Sequence, residues 1–156
     1  MAGRGAVSRL YVAVVGGARA AEPALEAAEE VGERLARAGA LVICGGRGGV
    51  MEAACRGAKR GGGTTVGILP GTDRASANEW VTVAIATGLG ELRNGLVVRA
   101  ADAVIAIGGG HGTLSEVAFA LKTGVPVIGI GSFELDGVEA VKAPEAAVSR
   151  ALELAD

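Results

Sequence analysis

The stretch GGGHGTLSEVAFALKTGVPVIGI, Gly108–Ile130, decides the reading of this chain. Four of its first five residues are glycine, after which the sequence turns helical and closes on the apolar run VPVIGI. Directly upstream lies another apolar run, DAVIAI (Asp102–Ile107). A continuous apolar strand feeding a bare loop, then a helix, then a second apolar strand, is a unit of parallel sheet buried on both faces.

Working outward, the same unit recurs. LYVAVV (Leu10–Val15) ends in Gly16-Gly17, and Pro23 suits the first turn of the helix that follows. Leu25, Ala28, Gly32 and Leu35 line one face of that helix, Glu26, Glu29, Glu33 and Arg37 the other, and Gly39 closes it. ALVIC (Ala40–Cys44) leads through GGRGG into a helix over Val50–Arg60, with Val50, Ala54 and Ala58 stacked. TTVGILP is a third strand stopped by Pro70; the polar loop GTDRASANEW then reaches VTVAIA, a fourth. The spacing predicts a helix over Leu89–Ala101 with Leu89, Leu92 and Leu96 on one side. It also predicts an apolar stripe of Leu114, Val117, Ala118 and Leu121 on the helix behind GGGHGT. Val138–Val141 reads as a small edge strand, and Pro144 opens a last helix. With right-handed crossovers the expected fold is α/β, a single Rossmann-like doubly wound parallel sheet with helices on both faces. Residues 10–156 form one domain in this reading, preceded by a flexible segment over residues 1–9.

Composition agrees with one domain of 156 residues whose core is built from Val, Ile, Leu and Ala, because half the residues are hydrophobic and only 3% aromatic. A net charge of -2 leaves no basic footprint for nucleic acid. The run Leu10–Val15 is too short for a signal peptide or a membrane span, so a cytoplasmic protein with no membrane partner is expected. Cys44 and Cys55 sit in apolar segments without zinc or CxxC spacing, which predicts buried thiols in a reducing compartment. His111 is the only histidine, so no multi-histidine metal site is expected.

In a doubly wound sheet, ligands bind beyond the carboxyl ends of the strands at the switch point. Three glycine clusters fall at strand ends: Gly16 and Gly17; Gly45, Gly46, Gly48 and Gly49; and Gly108, Gly109, Gly110 and Gly112. Bare backbone leading to a helix N-terminus, with its free N–H groups and partial positive charge, is suited to phosphate. GGRGG is not GxGxxG, and no acidic residue follows the second strand as a dinucleotide site requires. No GxxxxGK[ST] and no GxSxG is present. Thr113 and Glu116 support two readings: T-x-x-E before an apolar run is a capping box, and it is equally a hydroxyl and a carboxylate aimed at a ligand.

These motifs together resemble the Lonely Guy-type family, also labelled "possible lysine decarboxylase". Its PGGxGTxxE is matched by Gly108–Glu116, and its Arg-Lys pair ahead of an Arg and an Ala-Asp by Arg93-Asn94 with Arg99 and Ala101-Asp102. VVGGAR, CGGRGGVMEAACRGAK, VGILPG and TGLGELRN are similar to the short subgroup that includes the molybdenum cofactor carrier protein. The resemblance implies a homodimer that binds a phosphorylated, nucleotide-like small molecule and needs no cofactor of its own. Transferred by position, Gly109, Gly110, Gly112, Thr113 and Arg99 bind the ligand, while Arg93 and Glu116 are catalytic. The implied reaction is hydrolysis of the N-glycosidic bond of a nucleoside 5′-monophosphate, whose oxocarbenium-like charge a carboxylate stabilises. The alternative is a carrier or sensor that holds molybdenum cofactor or a nucleotide without turning it over. Two departures favour that alternative, Gly108 where the family has proline and Asn94 where it has lysine, while the presence of both Arg93 and Glu116 favours the enzyme. Lysine decarboxylation is rejected, because it normally uses a pyridoxal cofactor and no lysine for a Schiff base stands at a strand end.

Overall fold

The computed structural model describes residues 9–156, so residues 1–8 of the expected flexible segment lie outside the described residues. Seven strands form one sheet in the order β4-β3-β2-β1-β5-β6-β7, and every neighbouring pair is parallel. The strands are β1 (Tyr11–Gly16), β2 (Leu41–Cys44), β3 (Thr65–Leu69), β4 (Val83–Ala86), β5 (Ala103–Ile107), β6 (Val127–Ile130) and β7 (Val138–Val141). The helices are α1 (Glu22–Arg37), α2 (Val50–Arg60), α3 (Arg93–Arg99), α4 (His111–Thr123) and α5 (Pro144–Ala155). The chain winds outward from β1 to β4, then returns to place β5 on the other side of β1. That reversal puts the switch point between β1 and β5, where the first and third glycine clusters leave the sheet.

Strand periodicity divides the core in two. Val12 and Val14 of β1 point to the side covered by α1, α2 and α5. Ala13 and Val15 point to the side covered by α3 and α4. On the first side α1 and α2 pack backbone to backbone, because a Cβ on Gly57 would overlap the Glu29 carbonyl and one on Gly32 the Ala54 carbonyl. Glu29 then pairs with Arg56 and Arg60 across the same contact. No helix among the described residues is long and apolar enough to cross a membrane.

Two expected faces turn out differently. The Leu89–Ala101 segment is a 3-10 turn over Gly90–Leu92 followed by the short α3, since Gly90 takes a left-handed φ of +60°. Leu89, Leu92 and Leu96 share a side, but that side is exposed (48%, 79% and 42%), and Val97 and Val98 fill the core instead. On α4 the buried residues are Thr113, Glu116, Val117 and Ala120, while Leu114 and Leu121 are only half-buried and Ala118 is exposed. The first half of α4 overhangs a cavity rather than the hydrophobic core, and polar residues can occupy its inward face there.

Candidate functional site

An open cavity of about 480 Å³ lies over the carboxyl ends of β1, β2 and β5. Of the residues singled out by sequence, Gly16, Gly17, Gly45, Arg93, Gly110, Gly112, Thr113 and Glu116 line it. Gly46, Gly48, Gly49 and Gly109 shape the loops without lining the cavity, and Arg99 is exposed at the far end of α3, away from it. Arg47, Met51, Glu91 and Asn94 also line it, although sequence reasoning did not put them among the site residues.

Each loop has a local cause. The N-cap of α4 is Gly110, with no side-chain cap. The N–H groups of His111, Gly112 and Thr113 therefore stand at the open end of a 13-residue helix with no acidic residue in its first turn. Gly109 has φ +116°, and a Cβ there would sit only 2.4 Å from Thr113 Cβ, so the residue must be glycine for Thr113 to turn inward. Gly108 has φ +56°, a value closed to proline, whose ring fixes φ near −65°. Its carbonyl accepts from Ser132 Oγ at 2.8 Å and its N–H donates to Ile130 O at 3.0 Å, so β6 props the loop from behind. Ser132 was missed because it is distant in sequence and belongs to no motif.

The second loop is held differently. The Val50 N–H donates to Gly17 O, and Glu52 occupies the first turn of α2. This helix N-terminus already carries an internal acid and a protein acceptor, whereas that of α4 carries neither. Asn78 clasps the loop, its N–H donating to Gly46 O at 2.9 Å and its Nδ2 to Arg47 O at 2.8 Å. Beneath it Cys44 Sγ accepts from Gly46 N–H at 3.2 Å and lies 3.4 Å from Cys55 Sγ; both thiols are buried and free, as expected.

Thr113 and Glu116 do not form a capping box. With Gly110 as the N-cap, Thr113 is the third residue of α4 and Glu116 the sixth, too far along to reach back to the N-cap N–H. Both are buried (3% and 8% exposed) on the side that lines the cavity. Burial pushes the Glu116 carboxyl up to about 7; the Arg93 charge pulls against that shift and the Glu91 charge adds to it. Arg93 is itself only 8% exposed, and its guanidinium lies over Gly45, 2.8 Å from where a Cβ there would stand. One guanidinium nitrogen donates to Asn94 Oδ1, while its Nε is the one buried side-chain polar atom without a partner among the described residues. A buried donor left without a partner on a residue that lines the cavity asks for an acceptor. Two cations (Arg47, Arg93), two carboxyls (Glu91, Glu116) and the positive end of α4 thus converge on one space. No cluster of three or more metal-ligating residues occurs among the described residues.

An uncharacterized protein of Archaeoglobus fulgidus is 40% identical over 141 residues, which is 90% of this chain and 93% of that relative. A probable cytokinin riboside 5′-monophosphate phosphoribohydrolase of Oryza sativa subsp. japonica is 32% identical over 118 residues, 72% of this chain and 52% of the rice protein. The molybdenum cofactor binding protein from the phototrophic bacterium Rippkaea orientalis superposes with a TM-score of 0.91 at 36% identity, covering 96% of this chain and 99% of its own. Residues 9–155 match the model of the SLOG cluster4 family, and this chain belongs to that family.

Proposed function

We propose that this protein binds a phosphorylated, nucleotide-like small molecule in the cavity, with the phosphate on the N-terminus of α4. The observation that carries the reading is the uncapped α4 N-terminus lining one cavity with Arg93, whose buried Nε has no partner among the described residues. Helix N–H groups and a guanidinium are the donors a phosphate takes. The volume of about 480 Å³ lies within the range of small-molecule sites. The similarity to a molybdenum cofactor binding protein and to a probable phosphoribohydrolase points to the same ligand class.

Holding the ligand without turning it over is the role we favour. Gly108 takes a backbone conformation that proline cannot, and Arg93 is engaged by a neutral Asn94 at the position where the family has lysine. Hydrolysis of the N-glycosidic bond is the second reading, supported by Glu116 and Arg93 on one cavity wall. In that reaction an ionised Glu116 stabilises positive charge on the sugar while water attacks the anomeric carbon and the base departs with a proton. The protein acts as a homodimer in this proposal, through the exposed face of Leu89, Leu92 and Leu96.

Calorimetric titration with AMP, paired with chromatographic assay of free adenine, tests both readings. Binding without adenine release is expected. Absence of AMP binding overturns the proposal. Release of adenine that falls about 10²–10³-fold in Glu116→Gln establishes the hydrolase instead.

A further inference from the structure

Asn94 makes contacts in two directions. The guanidinium of Arg93 carries only donors, so the Asn94 atom that faces it is the carbonyl oxygen, Oδ1. The other arm of the amide, Nδ2, then lies toward the α4 loop, 3.9 Å from the position of a Cβ on Gly112. Asn94 is 8% exposed, lines the cavity, and its Nδ2 donates to none of the described residues. Arg93 Nε, beside it, is buried and likewise without an acceptor.

We propose that Asn94 is a ligand-selecting residue: its Nδ2 donates to an oxygen of the phosphoryl group seated on the α4 N–H groups, while its Oδ1 holds Arg93 in place for the same group. This rests on the binding function proposed above and adds the residue that reads the ligand's terminal oxygens. The α4 backbone N–H groups, Asn94 and Arg93 line one cavity, and a phosphomonoester has the oxygens to meet their donors. Because the amide is neutral, it adds a hydrogen bond without adding a cation beside Arg93. It also makes the interaction directional, since an acceptor placed at Nδ2 repels what a donor attracts.

Asn94→Asp separates the two contacts. The carboxylate keeps an acceptor for Arg93 but replaces the donor with a charged acceptor facing the phosphate site. Inorganic phosphate, AMP and adenosine are titrated into wild type, Asn94→Asp and Asn94→Ala by calorimetry at pH 7.5, with thermal melts alongside. Asn94→Asp is expected to weaken phosphate and AMP at least tenfold, with adenosine unchanged and the melt undiminished. Asn94→Ala, which removes the donor without adding charge, is expected to weaken AMP less than the aspartate does, again sparing adenosine, and decides the matter if the aspartate variant does not fold. Phosphate and AMP affinities within twofold of wild type in the folded variants overturn the assignment. Equal losses for AMP and adenosine overturn it too, since they reveal a structural role. Wild type that binds neither phosphate nor AMP sinks the function proposed above and this inference with it.

Discussion

Replacing Glu116 by glutamine should stabilise the protein above neutral pH and leave it unchanged in acid. Glu116 is 8% exposed, and burial lifts its carboxyl from the ordinary 4.5 to about 7 against the opposing charge of Arg93, with Glu91 adding to the rise. Between those two values the folded state holds a proton that the unfolded state has released. Stability from the neutral carboxyl is therefore fully present below pH 4.5 and is lost as pH rises through 7. The rise corresponds to about 3 kcal/mol of ionisation cost above pH 7.5. Glutamine is isosteric and neutral at every pH, so Glu116→Gln escapes that cost. For a chain of this size about 1 kcal/mol moves Tm by roughly 2–4 °C. Melts should coincide near pH 4 and separate by about 6–12 °C at pH 8, the variant higher. Differential scanning calorimetry from pH 4 to 8.5 reads this directly. A separation that does not grow with pH, or a variant that melts lower at pH 8, refutes the reasoning, because attraction to Arg93 would then outweigh desolvation. A cap residue would give no such slope, since glutamine serves a capping box as well as glutamate.

Two other perturbations test the packing and the assembly. Gly57→Ala places a Cβ on the Glu29 carbonyl where α1 meets α2, and this overpacking should cost about 1–3 kcal/mol in urea unfolding. Leu92→Glu with Leu96→Glu charges the exposed face of α3 and its preceding turn. Light scattering should find wild type as a dimer and the double variant as a monomer with an unchanged melt; a monomeric wild type discards the dimer proposal.

Much of this molecule was legible in the sequence, for a specific reason. β1, β2, β3, β5 and β6 read as continuous apolar runs because a parallel sheet buries both faces, and each run ends at a glycine or proline where the chain must turn. The glycine clusters marked the carboxyl edge for the same reason, since close approach and positive φ at Gly109 tolerate no side chain. Strand-end glycines pointed to the α4 loop, and the family resemblance to Arg93 and Glu116; the fold brings all three to one cavity.

What tertiary structure alone decided is which way faces point and what converges. Periodicity shows that Leu89, Leu92 and Leu96 share a side, but only the position of α3 against the sheet decides that this side is open to solvent. The same limit hid the inward turn of α4: an apolar pattern assumes that the buried side faces a hydrophobic core, whereas Thr113 and Glu116 face a polar cavity. The spacing T-x-x-E is identical for a cap and for a site, and the choice between them was made by where the helix begins, at Gly110. Arg47, Asn78 and Glu91 carry no signal by themselves, and Asn94 stood out only as a departure from the family's Arg-Lys pair. Arg47, Glu91 and Asn94 belong to the site because the crossover from β4 to β5 and the turn after β2 end at the same edge of the sheet, and Asn78 reaches it from the β3–β4 connection only to hold the Arg47 loop. That meeting of distant segments comes from the winding of the sheet, and local sequence does not encode it.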